Sequence, residues 1–372
     1  MATVVDSTLR EGIQTAGVYL DLGRQVEIVA GLGAAGVGEI EVGPATAPGD
    51  VLARLVARVR RDQPSMRVGV WCRALAPDIE AACALEPDVV AFCLPVSDLH
   101  LRVRLGHSPR WAVRQIASMV EYARHRGAPR VSVGLEDATR ADPAVVERVV
   151  RAAVAAGVDR VRLADTVGIA TPAAIAALVG RCRPLVPGTL AVHTHDDFGM
   201  ATANAIAALD AGADTADVSL LGLGERAGIA RTEEVCAFLA LSRGAAFRVP
   251  ELRALCHRVA DWVGRTVPGE SPVIGERVFD CESGLHVDGL VKDPRCYQPF
   301  SPALAGAVQR IRLGGKAGRN AVAAVVARLG EQLAPEQLGG LTVRIRALAD
   351  HLGRPLTDAE VRALLREQRV AG

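Results

Sequence analysis

Eight times in succession, a short run rich in valine, leucine, isoleucine and alanine is followed by a longer segment with apolar residues at helical spacing. The strand-like runs fall at 3–7, 37–42, 67–72, 89–94, 130–135, 160–164, 190–193 and 215–220. The helix-like segments fall at 21–35, 51–61, 79–85, 111–126, 143–156, 171–183, 201–211 and 232–243. Short apolar runs suit buried parallel strands, and apolar recurrence every three to four residues suits helices packed on them. Pro143 and Pro172 stand where a first helical turn tolerates proline. Repeated strand–helix alternation gives a parallel sheet, and eight such units can close into an α/β TIM (β/α)8 barrel. A doubly wound open sheet would usually carry a glycine-rich phosphate loop after its first strand. Here that strand runs instead into the charged stretch Asp6-Ser7-Thr8-Leu9-Arg10-Glu11-Gly12.

A barrel takes roughly 250 residues, and the chain has 372. From about Val249 the alternation stops, and proline and glycine become frequent through 268–289. The expected organisation is a TIM-barrel catalytic domain over 1–248 and a smaller, mainly helical region over 249–372 that covers the barrel mouth as a lid. The 43 basic and 42 acidic residues leave a net charge of +1 with no block of one sign, which argues against a nucleic-acid partner. None of the eight cysteines forms a CxxC pair, so a zinc ribbon or dithiol redox motif is not expected. The first residues carry no signal-peptide core, and no apolar run reaches the roughly 18 residues that a membrane span needs. The expectation is a reduced, cytoplasmic protein away from membranes.

Active sites of such barrels lie at the C-terminal ends of the strands. The polar residues just past each expected strand are Arg10 and Glu11, Arg73, Glu136 and Asp137, Asp165 and Thr166, then His193 to Asp197, and finally Glu225 and Arg226. They scatter in sequence and should converge in space. In His193-Thr194-His195, alternate residues on extended backbone point the same way, so both imidazoles can grip one ion. An HxH pair by itself is an ordinary strand feature; its place at a barrel strand end beside Asp196 and Asp197 is what points to a metal. Glu11 is a suitable third ligand. Two nitrogens and a carboxylate leave positions open on a divalent ion and admit Mg, Mn, Zn or Co. Arg10 would place a fixed positive charge where oxyanion charge develops.

These stretches also resemble a known family. DSTLREG at 6–12 and HTHDDFGMATAN at 193–204 resemble the first- and seventh-strand signatures of the DRE-TIM metallolyase superfamily, which includes the alpha-isopropylmalate synthases. GLGERAG at 222–228 matches a third signature, while ESGLHVDG at 282–289 and LGGKAGR at 313–319 resemble the C-terminal region of its homocitrate and isopropylmalate synthases. WCRA at 71–74 and VSVGLED at 131–137 are most similar to the homocitrate synthase family of the nitrogen-fixation type. The resemblance implies a metal-dependent Claisen condensation of acetyl-CoA with 2-oxoglutarate, and thioester hydrolysis to homocitrate and CoA. It implies Glu11, His193 and His195 as metal ligands, Arg10 polarising the substrate, and Thr166 and Gln14 holding the 2-oxo acid. His286 and Tyr297, helped by Glu136, would deprotonate the acetyl-CoA methyl group, and a homodimer is implied. Alternative products are isopropylmalate, citramalate or phosphonomethylmalate, or the chain is a ligand-binding relative without turnover.

The sequence departs from that pattern in four places. Ile229 stands where asparagine often joins the metal shell, which predicts an added water or a weaker metal site. Asp196 stands where asparagine is common, and Ile13 removes a carboxylate near the pocket. Ser132 and Gly134 stand where lysine-pathway relatives place an arginine and a serine for the distal carboxylate of 2-oxoglutarate. Another cation must then serve, with Arg73, Arg102 and Arg104 as candidates.

Overall fold

The strands form because alternate residues face two different environments. In the computed structural model, which describes residues 3–47 and 49–370, eight strands close into a barrel with every neighbour parallel. They are β1 (Thr3–Asp6), β2 (Glu39–Val42), β3 (Arg67–Arg73), β4 (Val89–Pro95), β5 (Val131–Glu136), β6 (Arg160–Asp165), β7 (Thr189–Thr194) and β8 (Thr215–Val218). Residues such as Val68, Val70, Phe92, Val133, Leu163 and Val192 are buried against the helical layer. The alternate set, which includes Glu39, Glu41, Arg160, Arg162, His193 and Asp217, faces the barrel interior. The interior is therefore polar and ionic: Glu39 binds Arg67 at 3.1 Å and Arg160 at 2.6 Å near the N-terminal ends of the strands.

The surrounding helices are α1 (Leu22–Ala34), α2 (Val51–Asp62), α3 (Ala76–Ala84), α4 (Asp98–Leu105), α5 (Pro109–His125), α6 (Pro143–Ala155), α7 (Pro172–Cys182), α8 (Ala201–Asp210), α9 (Thr232–Arg243) and α10 (Val249–Trp262). Side chains of Asp21, Ser97, Asp142 and Thr171 cap the N-termini of α1, α4, α6 and α7, satisfying amides that have no partner within the helix. Helix α4 is an addition to the expected pattern. It begins at the Ser97 cap, immediately after β4, and carries Arg104.

The compact units divide between Val267 and Pro268, which corrects the expected boundary at 248/249. The reason is α10. It packs on α1, where Gly31 leaves room for the Leu255 side chain, and the Arg248 amide bonds the Ala35 carbonyl at 2.9 Å. Taken by itself, the second unit holds α11 (Gly284–Lys292), α12 (Arg319–Arg328), α13 (Pro335–Leu352) and α14 (Asp358–Val370), with a two-stranded parallel sheet of β9 (Asp280–Cys281) and β10 (Arg310–Ile311). Its own core includes Val287, Leu313, Val322, Leu341, Ile345 and Val361. Among the described residues, no helix is long and apolar enough to cross a membrane. All eight cysteines are free.

Two carboxyls buried where β1, α9 and α10 meet set a pH dependence of folding. Burial pushes Asp6 up to about 6 although Thr232 and Thr8 donate to it, and pushes Glu233 up to about 7. One Glu233 oxygen has no partner at all. A folded form that binds protons more tightly than the unfolded chain gains stability at low pH. The Glu233 contribution is whole below its ordinary pKa of 4.5 and is lost as pH rises through about 7. Denaturant titrations from pH 5 to 8 should show wild-type stability falling with pH, and Glu233→Gln should flatten the fall by up to roughly 3 kcal/mol. Parallel pH profiles for the two proteins would contradict this assignment.

Candidate active site

A cavity of about 370 Å³ opens at the C-terminal ends of the strands and is lined by Arg10, Glu11, Gln14, Glu136, Thr166, His193 and His195, among others. Most of the expected site residues of the barrel unit therefore converge on one space. The turn after β1 presents the first two: the Ser7 carbonyl accepts the amides of Arg10, Glu11 and Gly12 at 3.0, 2.8 and 3.1 Å. That wraps the backbone tightly, so the Arg10 and Glu11 side chains pair with each other. Arg10 Nε also donates to Glu41 Oε1 at 3.0 Å, and its guanidinium lies 5.5 Å from the Trp71 ring centre.

Glu11, His193 and His195 are buried, and their ligand atoms all lie within 4.8 Å of one another. The Nε2 atoms of the two histidines approach to 3.3 Å, and Glu11 Oε2 is 4.0 Å from His193 Nε2. Asp217 Oδ2 sits 2.9 Å from His193 Nδ1 and orients that ring, the arrangement by which carboxylates support metal-bound histidines. Burial, with His193 as neighbour, pushes His195 down to about 3, so its ring is neutral and able to donate a lone pair. Burial would raise the Glu11 carboxyl, but Arg10, His193 and His195 hold it below its usual range. The linked buried set counts two guanidiniums, Arg10 and Arg162, against three carboxylates, Glu11, Glu41 and Asp217. Surplus negative charge beside two imidazoles fits a divalent cation held by Glu11, His193 and His195.

The loop after β8 closes the other side. Gly228 has φ +96°, and a Cβ there would fall 1.7 Å from the Gly222 carbonyl oxygen, so only glycine fits. Beside it, Ile229 forms a backbone bridge with His195, and its side chain is fully buried. Ile229 thus braces the histidine strand through its backbone and offers no ligand. The Asp196 carboxylate accepts the Ala201 amide at 2.8 Å at the start of α8, and Asp197 pairs with Arg226. Thr166 accepts the Asp137 amide on Oγ1 at 2.8 Å, which leaves its hydroxyl proton free for the cavity. Glu136 pairs with Arg104 at 2.9 Å.

Arg73 stands apart from the cavity-lining set: it makes a two-pronged bond to Asp78 at 2.7 and 3.0 Å. Arg102 pairs with Asp98 at 2.5 Å, and of the three candidate cations Arg104 lines the cavity. His286 and Tyr297 lie in the second unit, with ring centres 4.3 Å apart. Glu41, Arg162 and Asp217 went unseen in the sequence because they sit inside strands. Their signal was there, since a charge alternating with apolar residues in a buried strand must face the barrel interior.

Fold and site together define an enzyme of the barrel class with a buried carboxylate–imidazole metal set and an arginine at the mouth. The chain belongs to the HMGL-like family, which matches residues 2–256; a homocitrate synthase post-HMGL domain-like region matches 273–352. It is 41% identical to a homocitrate synthase from Frankia alni over 85% of this chain and 90% of that one. It is also 35% identical to 2-isopropylmalate synthase 2 from Caldanaerobacter subterraneus, over 99% of this chain and 96% of that one. An HMG-CoA lyase from Bacillus subtilis shares the barrel, with TM-score 0.64 and 19% identity over 73% of this chain and 97% of that one. The relatives are acyl-transferring synthases, and this chain is an enzyme of that transferase type.

Proposed function

We propose that the enzyme is a homocitrate synthase of the nitrogen-fixation type, condensing acetyl-CoA with 2-oxoglutarate and releasing homocitrate and CoA. The observation that carries the choice of acceptor is the cavity wall. Four arginines line it (Arg10, Arg104, Arg162 and Arg226), while Trp71, Cys93, Gly134 and Ala164 are its apolar members; among the described residues no leucine, isoleucine or valine takes part. A branched aliphatic acceptor would need an apolar socket, whereas a second carboxylate needs a guanidinium.

A divalent ion held by Glu11, His193 and His195 would supply Lewis acidity at the acceptor ketone. Thr166 donates its free hydroxyl proton to the neighbouring carboxylate, and Gln14 lines the same space. Arg104 exchanges its bond to Glu136 for the distal carboxylate. A base takes a proton from the acetyl-CoA methyl group, and the resulting carbanion attacks the ketone carbon. The carbonyl electron pair moves to oxygen, where Arg10 stabilises the charge until that oxygen is protonated. Water then cleaves the thioester. His286, Tyr297 and Glu136 are assigned to the proton transfers.

A panel of 2-oxo acids in a CoA-release assay with Mg2+ or Mn2+ tests this. 2-Oxoglutarate should give the highest kcat/KM. Arg104→Gln should raise its KM by roughly ten- to a hundredfold, the cost of leaving a carboxylate without its cation. Turnover of 2-oxoisovalerate or pyruvate without turnover of 2-oxoglutarate would overturn the assignment.

A further inference from the structure

Arg162 is among the largest fully buried side chains in the molecule, yet the reaction just described gives it no task. It rises from β6 into the barrel interior. Its register partners on the two neighbouring strands, Gly134 of β5 and Ala191 of β7, are small, so the guanidinium has the space to reach across. Its Nη2 donates to Glu41 Oε2 at 2.7 Å, and its Nε makes an ion pair with Asp217 Oδ2 at 2.8 Å, outside hydrogen-bond geometry. The other Glu41 oxygen receives Arg10 Nε at 3.0 Å, and Asp217 Oδ2 holds His193 Nδ1 at 2.9 Å. An unbroken line of contacts thus runs Arg10–Glu41–Arg162–Asp217–His193, joining the polarising arginine of the β1 turn to a metal-ligating histidine of β7. Burial alone would raise the Glu41 carboxyl, but Arg162 and then Arg10 bring it down to about 2, so it stays charged and able to hold both guanidiniums.

We infer that Arg162 is a positioning residue: its planar fork fixes Glu41 and Asp217, and through them sets where Arg10 and His193 stand at the metal site. The inference rests on the reading of Arg10 and His193 given above. A plain counter-charge would need only positive charge in this layer. A clamp needs the fork, because two donors at fixed separation and angle hold two carboxylates that one ammonium cannot span. Supporting groups behind a metal ligand typically change metal affinity or activity by about 10- to 100-fold.

Arg162→Lys separates these roles, since it keeps the charge and removes the fork. Titration of metal-free protein with Mn2+ alone, without substrates, should give a Kd raised about 10- to 100-fold over wild type. In the CoA-release assay kcat should fall by a similar factor while KM for acetyl-CoA and for the 2-oxo acid stays within about twofold. If the lysine variant does not fold, Arg162→Met combined with Glu41→Gln removes one charge of each sign and should show the same rise in Mn2+ Kd. Unchanged Mn2+ affinity and kcat overturn the inference. So does a large rise in KM for the 2-oxo acid at unchanged Mn2+ affinity, which would put Arg162 on the substrate. Wild-type protein that takes up no Mn2+ sinks the functional reading along with this one; wild type that binds Mn2+ no more tightly than Arg162→Lys sinks this one alone.

Discussion

His195→Ala is expected to abolish metal uptake and to lower CoA release by about 10³-fold or more, while leaving the metal-free fold as stable as before. The size follows from the chemistry. Losing a ligand that completes a Lewis-acid site forfeits several kcal/mol of transition-state stabilisation, at about 1.4 kcal/mol per factor of ten. The intact fold follows from the contacts. His195 Nδ1 has no partner, and its Nε2 faces the Nε2 of His193, so no hydrogen bond that secures a strand is lost. His193 is different, because its Nδ1 is tied to Asp217 and so to Arg162. His193→Ala should therefore lower the melting temperature of metal-free protein as well. Differential scanning fluorimetry with and without Mn2+ reads both effects. At a concentration a hundred times Kd, wild type should gain about 2.7 kcal/mol from the metal, and His195→Ala should gain none. A His195→Ala protein that retains metal and turnover would refute the ligand assignment.

The barrel was legible because strand and helix periods differ, and eight repeats leave little choice of closure. The strand-end rule then found Arg10, Glu11, Thr166, His193 and His195 at one cavity without any long-range information. It misled at Arg73, because a strand end says where a long side chain starts and not where it turns; Asp78, in the first turn of the next helix, takes it away. It was blind to Arg104, which reaches the cavity from α4, a short helix lying between the expected strand at 89–94 and the expected helix at 111–126. The polar interior was hidden for a different reason. Glu41 and Arg162 partner one another across 121 residues, and only the closed barrel brings β2 opposite β6. The misplaced domain boundary has the same origin: nothing local in α10 shows that Leu255 will seat over Gly31.

His286→Ala is the second large effect, and it should look unlike the first: CoA release falls about 10²- to 10⁴-fold, the range for loss of a positioned acid–base group, while Mn2+ affinity is untouched. The second unit presents its two candidate groups as a pair. His286 lies in the first turn of α11, and Tyr297 folds back onto the same helix with the two ring planes inclined at 31°. Gly289, three residues beyond His286, makes room for this: a Cβ there would sit 2.4 Å from Tyr297 Cε2. If the rings work as one device, Tyr297→Phe should cost most of what His286→Ala costs, and the double variant little more than the worse single, as expected for groups that act as a unit. Gly289→Ala, which displaces the tyrosine ring without altering either group, should fall between wild type and Tyr297→Phe. The direct readout is exchange of acetyl-CoA methyl protons with D2O, which reports deprotonation without needing carbon–carbon bond formation. Exchange at the wild-type rate in His286→Ala would move the base to Glu136, whose carboxylate already lines the cavity beside Arg104.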